Sequence, residues 1–97
     1  MPSYMVIAVK MHDRDKFIAG YGQETPKLVE KYGGEYIVVA PGATLLEGSL
    51  DGYTSIAISK WPDREAAMQF WNSSDYAEVK KLREGLAEAE VLLVDAP

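Results

Sequence analysis

Ninety-seven residues suffice for one domain, spanning 1–97, and a chain of this size buries only about two-thirds of the surface its unfolded form exposes. A hydrophobic content of 47% excludes a disordered chain, and a net charge of −5 argues against nucleic acid, whose phosphates demand a basic face. The absence of cysteine removes disulfides, thiolate chemistry and Cys-based zinc sites, and a single histidine cannot supply an imidazole cluster, so no metal is expected.

Tyr4 to Met11, rich in Val and Ile and without a polar residue before Lys10, predicts a first strand. Asp13 is placed to cap the following helix, in which Phe17, Tyr21, Leu28 and Tyr32 recur as an apolar stripe. Thr25-Pro26 predicts a kink or restart within it, and Gly33-Gly34 a stop. Gly20 and Gly22 bracket Tyr21 inside that helix, each costing about 1 kcal/mol relative to alanine, which close backbone approach, room for a ligand or surface tolerance would explain.

Glu35 to Ala40 reads as the second strand and Tyr53 to Trp61 as the third. Between them lie a short arm, Thr44 to Gly48, and an Asp51-Gly52 hairpin turn. Pro62-Asp63 opens a helix with Ala66, Ala67, Phe70 and Trp71 on its apolar stripe. Ser73-Ser74-Asp75 breaks and recaps it, a further helix runs from Tyr76 to Leu86, and Val91 to Val94 forms the last strand. The resulting order, β-α-β-β-α-β, predicts an α+β, ferredoxin-like four-stranded antiparallel sheet with helices on one face. No apolar run approaches the roughly 18 residues of a membrane helix, and Met1-Pro2-Ser3-Tyr4 lacks the basic and apolar regions of a signal peptide. The expectation is a soluble cytoplasmic protein that does not engage a membrane.

The strands have two apolar faces. In the first, Met5, Ile7, Val9 and Met11 oppose Tyr4, Val6 and Ala8; in the third, Thr54, Ile56 and Ile58 oppose Tyr53, Ser55, Ala57 and Ser59; the last is apolar on both sides. Helices on one side leave a patch larger than the few hundred Å² a monomer tolerates. Packing against a second copy, as a homodimer, is the symmetric way to cover it.

An ordered set of residues across nearly the whole chain resembles a known family. The set is Tyr4–Val9, Asp13, Tyr21, Tyr32-Gly33-Gly34 with Tyr36, Leu46-Glu47-Gly48, Trp61-Pro62, Ala66-Ala67, Trp71 with Ser73 and Tyr76, and Leu82-Arg83. The family is domain of unknown function 1330, and the resemblance implies a dimeric α+β barrel. This chain departs from the family pattern at Trp61-Pro62-Asp63 and Ser73-Ser74-Asp75-Tyr76, keeping the capping chemistry at both places. It also departs at Val38-Val39-Ala40-Pro41-Gly42, where the family often carries an arginine before paired glycines.

Arg83 falls on the inward stripe Tyr76, Val79, Arg83, Leu86, where an unpaired guanidinium is costly. It forms a salt bridge, for which Glu47 is a candidate partner, or snorkels at a rim, or clamps a carboxylate or enolate in a pocket. His12 is the default general base because it alone titrates near neutrality, although a lone loop histidine is more often a bystander. Glu47 is an alternative base. Tyr4, Tyr21, Tyr36, Trp61, Trp71 and Tyr76 describe either an aromatic ligand wall or an ordinary core and interface. No phosphate loop or catalytic triad appears, and no cofactor is expected. Analogy with other dimeric α+β barrels suggests a cofactor-independent monooxygenase or isomerase acting on a small organic molecule. A non-catalytic metabolite-binding protein and a purely structural dimer stand as alternatives.

Overall fold

The computed structural model describes residues Met1–Pro97. Its first strand, β1 (Ser3–Met11), leads into α1 (Arg14–Phe17), a π-helical turn (Ile18–Gly22) and α2 (Gln23–Lys31). Strands β2 (Glu35–Ala40) and β3 (Ser55–Trp61) follow, then α3 (Arg64–Trp71), α4 (Ser74–Lys80), a 3-10 turn (Lys81–Arg83) and β4 (Ala87–Asp95). The four strands lie in the order β2-β3-β1-β4, each neighbouring pair antiparallel. With every helix on one face, this is the ferredoxin-like α+β fold expected from the element order.

Local chemistry explains most of the boundaries. Asp13 accepts from the Lys16 N–H at 3.1 Å, Asp63 from the Ala66 N–H at 2.8 Å and Ser73 from the Tyr76 N–H at 3.0 Å. Each cap satisfies a donor that the first helical turn leaves free. Gly33 ends α2 at φ +94, a conformation a β-carbon would oppose. Gly34 is required for a different reason: a β-carbon there would sit 2.8 Å from the Trp61 ring. Asp51 and Gly52 turn at φ 49 and φ 87, and the Tyr53 N–H closes the turn on the Leu50 carbonyl at 2.8 Å.

Four boundaries differ from the sequence reading. The helical irregularity lies at Ile18–Gly22 and not at Thr25-Pro26: Pro26 sits inside α2, and the π turn upstream accommodates the bond its missing N–H cannot make. The last helix ends at Lys80 and tightens through Arg83, and Gly85 at φ +75 turns the chain into β4. β4 begins at Ala87, four residues earlier than expected, because it pairs with β1 along its whole length from Met11↔Ala87 to Ser3↔Asp95. Thr44 to Gly48 is irregular and β3 starts at Ser55, so the connection is a long loop closed by the Ala43 N–H on the Thr54 carbonyl at 2.7 Å.

The helix-covered face carries the core: Met5, Leu28, Val29, Trp61, Ala67, Phe70 and Tyr76 form its main cluster. The other face is open. Its centre is one row across all four strands, Val38–Ile58–Val6–Leu92, set by the register of the three pairings. Leu92 remains 62% exposed and Val38 39%. The open face is less uniformly apolar than expected, because the early start of β4 places Glu88 and Glu90 on it beside Leu92 and Val94.

Asp95 ties three elements together, accepting from Ser3 Oγ at 2.5 Å and from Arg64 Nε at 3.0 Å. The Ser3 hydrogen bond, reinforced by Arg64, holds its carboxyl below the usual aspartate value. A depressed carboxyl stabilises the fold above the unfolded-state pKa of about 3.9, and that contribution vanishes as pH falls through the folded value. Asp95→Asn is therefore expected to lower the melting temperature at pH 7 and to converge with the wild type in acid, which thermal scans from pH 7 downward check.

Candidate functional site

Small residues on the sheet and a widened helical turn above them leave a cavity of about 440 Å³ between the two layers. Its floor is Ile7, Val9, Ala57, Ala89 and Val91, its roof Phe17, Ile18, Tyr21, Gly22, Thr25 and Pro26. Tyr36 and Val39 of β2 close one side, Arg83 reaches in from the 3-10 turn, and Arg14, Pro41 and Ser55 stand together along the wall. The size falls within the ~300–1,000 Å³ typical of small-molecule sites, and the lining is mostly apolar with a few placed polar groups.

Those polar groups are phenols, hydroxyls and guanidinium ions. Tyr21 and Tyr76 share a hydrogen bond of 2.8 Å between their hydroxyls. Burial, then the neighbouring Tyr76, pushes the Tyr36 phenol up to about 12. Burial and Tyr76 push Tyr21 up as well, with Arg83 opposing weakly. Both phenols therefore stay protonated at physiological pH and act as donors, not bases. Arg14 donates from Nη2 to Ser55 Oγ at 2.8 Å and to the Pro41 carbonyl at 3.2 Å, while Ser55 Oγ donates to the same carbonyl at 2.9 Å. This clasp joins α1, the loop after β2 and β3.

Arg83 makes no ion pair with Glu47, which lies exposed in the long loop. Its guanidinium carbon stands 5.6 Å from the Tyr21 ring centroid, a cation–π contact, and its Nε is buried without a hydrogen-bond partner.

Of the residues singled out in the sequence, Tyr21, Tyr36 and Arg83 meet in this cavity. Trp71 and Tyr76 lie one layer behind, on a recess of about 10 Å³ that shares Tyr21 and Tyr36 as a wall. Four others are elsewhere. Trp61 is 1% exposed and packs in the core at the far end of β3, paired with Ser3. Tyr4 alternates onto the open face between Lys60 and Val94. His12 sits past the end of β1, 45% exposed, with Nε2 2.8 Å from Glu88 Oε2. Neither it nor Glu47 lines the cavity, so neither supplies it with a base.

Two residues of the site went unread in the sequence. Thr25 follows Tyr21 by four and so shares its inward stripe. Arg14 places a cation in the first turn of a helix, where the dipole disfavours it; such a residue is serving some other contact.

The sequence profile described as Domain of unknown function (DUF1330) matches residues 2–97. This chain belongs to the DUF1330 family. No curated protein matches it. Among solved structures, a protein of unknown function from Rhodopseudomonas palustris superposes with a TM-score of 0.76 at 19% identity, covering 99% of this chain and 82% of that one. A cofactor-independent oxygenase from Streptomyces nogalater gives 0.72 at 16% identity, covering 99% and 93%. A hypothetical Arabidopsis thaliana protein gives 0.68 at 16%, covering 99% and 88%. At these identities the likeness shows that the DUF1330 chain shares their fold. No helix of the chain is long and apolar enough to cross a membrane.

Proposed function

We propose that this protein is a homodimer whose cavity takes up a small, largely apolar organic molecule and supports its monooxygenation without a cofactor. The observation that carries the reading is the cavity of about 440 Å³, walled by apolar side chains and protonated phenols, on a fold shared with a cofactor-independent oxygenase. The dimer is supported by the apolar row across the open face, which a second copy covers, with Lys10, Glu88 and Glu90 flanking the row along the strands on one side and Lys60 on the other.

The lining holds no carboxylate and no histidine, which selects among reactions. Isomerisation moves a proton between carbons and needs a base within reach. Oxygenation of an activated methylene needs only that the substrate ionise by its own acidity. Its carbanion reduces dioxygen; one oxygen atom ends as the new carbonyl and the other leaves as water, so R2CH2 and O2 give R2CO and H2O. In this reading Arg83, with Tyr21 and Tyr36 beside it in the lining, donates to the developing oxyanion.

Activated methylenes such as 1,3-indandione, offered to the purified protein in an oxygen electrode, are expected to drive dioxygen uptake equal to the carbonyl product formed, unchanged by EDTA. Binding seen by calorimetry with no uptake above the protein-free rate would replace this reading with non-catalytic metabolite binding, which the missing base also favours.

A further inference from the structure

In the whole chain two buried side-chain polar atoms lack a hydrogen-bond partner, Arg83 Nε and Thr25 Oγ1, and both residues line the same cavity. Buried polar groups are nearly always satisfied, and an unpaired guanidinium N–H is among the costlier exceptions. The cation–π contact of Arg83 with the Tyr21 ring, at 5.6 Å from the centroid, does not resolve this, because it gives Nε no hydrogen-bond acceptor. Thr25 is 2% exposed, so water at the surface does not satisfy its hydroxyl either. Position and chemistry coincide: both residues line one largely apolar cavity, and each holds a buried donor without an acceptor.

Charge narrows the acceptor. The ionisable lining groups that carry charge at neutral pH are Arg14 and Arg83, with no aspartate or glutamate among the lining residues. Arg14 already donates to Ser55 Oγ and the Pro41 carbonyl, whereas Arg83 has no such partner at Nε. A neutral ligand would leave the Arg83 charge uncompensated, and an ammonium would oppose it. We propose that the cavity recognises an organic oxyanion, a carboxylate or an ionised enol or phenol carried on an apolar body, held by the Arg83 guanidinium with the Thr25 hydroxyl as a second donor. This rests on the reading of the cavity as a small-molecule site and adds the class of molecule. The apolar body follows from the floor of Ile7, Val9, Ala57 and Val91, which offers the rest of the ligand nothing polar. Arg83 needs no deprotonation or partner to act, and its fork matches a carboxylate in two parallel hydrogen bonds.

The test is isothermal titration calorimetry at pH 7 with two probes of one shape, 1-naphthoate and the neutral 1-naphthamide. Wild type is expected to bind naphthoate at least about tenfold more tightly, the discrimination that about 1.4 kcal/mol supplies. Arg83→Met is expected to lose that preference while keeping its affinity for naphthamide, which shows the cavity intact. Thr25→Val, equal in shape, is expected to weaken naphthoate several-fold. Equal wild-type affinity for the two probes overturns the oxyanion proposal and leaves the cavity reading standing. Binding of neither probe overturns both. A naphthoate preference that survives Arg83→Met overturns the role given to that arginine.

Discussion

Trp61→Ala is expected to lower the thermal midpoint by roughly 15–30 °C, the largest loss from any single truncation in this chain. The residue is 1% exposed. Its ring lies 5.0 Å from that of Phe70, which in turn is 4.6 Å from Tyr76, so one truncation removes the first member of a stacked series joining sheet to helices. Its Nε1–H donates to the buried Ser59 Oγ at 3.0 Å, and Gly34 lies against its ring too closely to admit a β-carbon. Alanine would leave a large void, an unpaired Ser59 and a bare glycine backbone at once. Loss of a buried large aromatic costs roughly 3–5 kcal/mol, a large share of the 5–15 kcal/mol that holds a typical domain. Trp61→Phe keeps most of the ring and loses the indole donor, so it should fall between alanine and wild type. Thermal denaturation followed by circular dichroism measures both, and a midpoint for Trp61→Ala within a few degrees of wild type would remove Trp61 from the centre of the core.

The same residue shows what could be read from sequence and what could not. The caps Asp13, Asp63 and Ser73, the Gly33 stop and the Asp51-Gly52 turn were legible because each is a local bond or dihedral that a few neighbouring residues determine. The alternation Met5, Ile7, Val9 separated the two faces of β1 for the same reason, and burial of Met5 and Val9 shows which one is inward. Trp61, in contrast, belongs to a strand whose parity was readable but whose distance from the cavity depends on register, and register is set by pairing across the sheet. Tyr4 has the opposite parity to Met5 and so faces away from any helix-side pocket; the alternation already contained that answer. The start of β4 was hidden because Ala87-Glu88-Ala89-Glu90 is made of helix formers, and nine ladder positions against β1 override that preference.

The cavity was partly legible for a physical reason as well. Arg83 stood out because a charge on an apolar stripe is expensive, whether or not its partner can be named. Glu47 was the wrong partner: a carboxylate in an irregular fourteen-residue connection, from Pro41 to Thr54, has no strand or helix to direct it, and it ends exposed. Arg14 on α1 is held to Pro41 of the loop after β2, a contact that only tertiary proximity reveals. The π turn likewise could not be placed from Pro26 alone, since the displaced carbonyl of a proline-interrupted helix lies one turn upstream, in the Gly20–Gly22 stretch that the roof of the cavity uses.

Ile58→Asp is expected to convert a dimer into a monomer without unfolding the chain. Ile58 is flanked by Val38 on β2 and Val6 on β1, and Val6 by Leu92 on β4, so it occupies the central row of the open face. In the proposed dimer that row faces its copy. A carboxylate placed there without a counter-ion carries an effective desolvation penalty of several kcal/mol. Each copy contributes one, and the two repel, so at about 1.4 kcal/mol per tenfold the dissociation constant should rise by roughly three orders of magnitude or more. Within one chain the substitution meets little resistance, because the main core lies on the opposite face around Trp61, Phe70 and Tyr76 and is not touched. Analytical ultracentrifugation should therefore find wild type at twice the chain mass and the variant at one, with matching far-ultraviolet circular dichroism. The thermal midpoint should rise with concentration for wild type alone, since association stabilises by mass action. A wild type that sediments as a monomer removes the dimer reading, and a variant that stays dimeric moves the interface off this face. Because every lining residue of the cavity comes from one chain, naphthoate binding by the monomeric variant would also show that each copy carries a complete site.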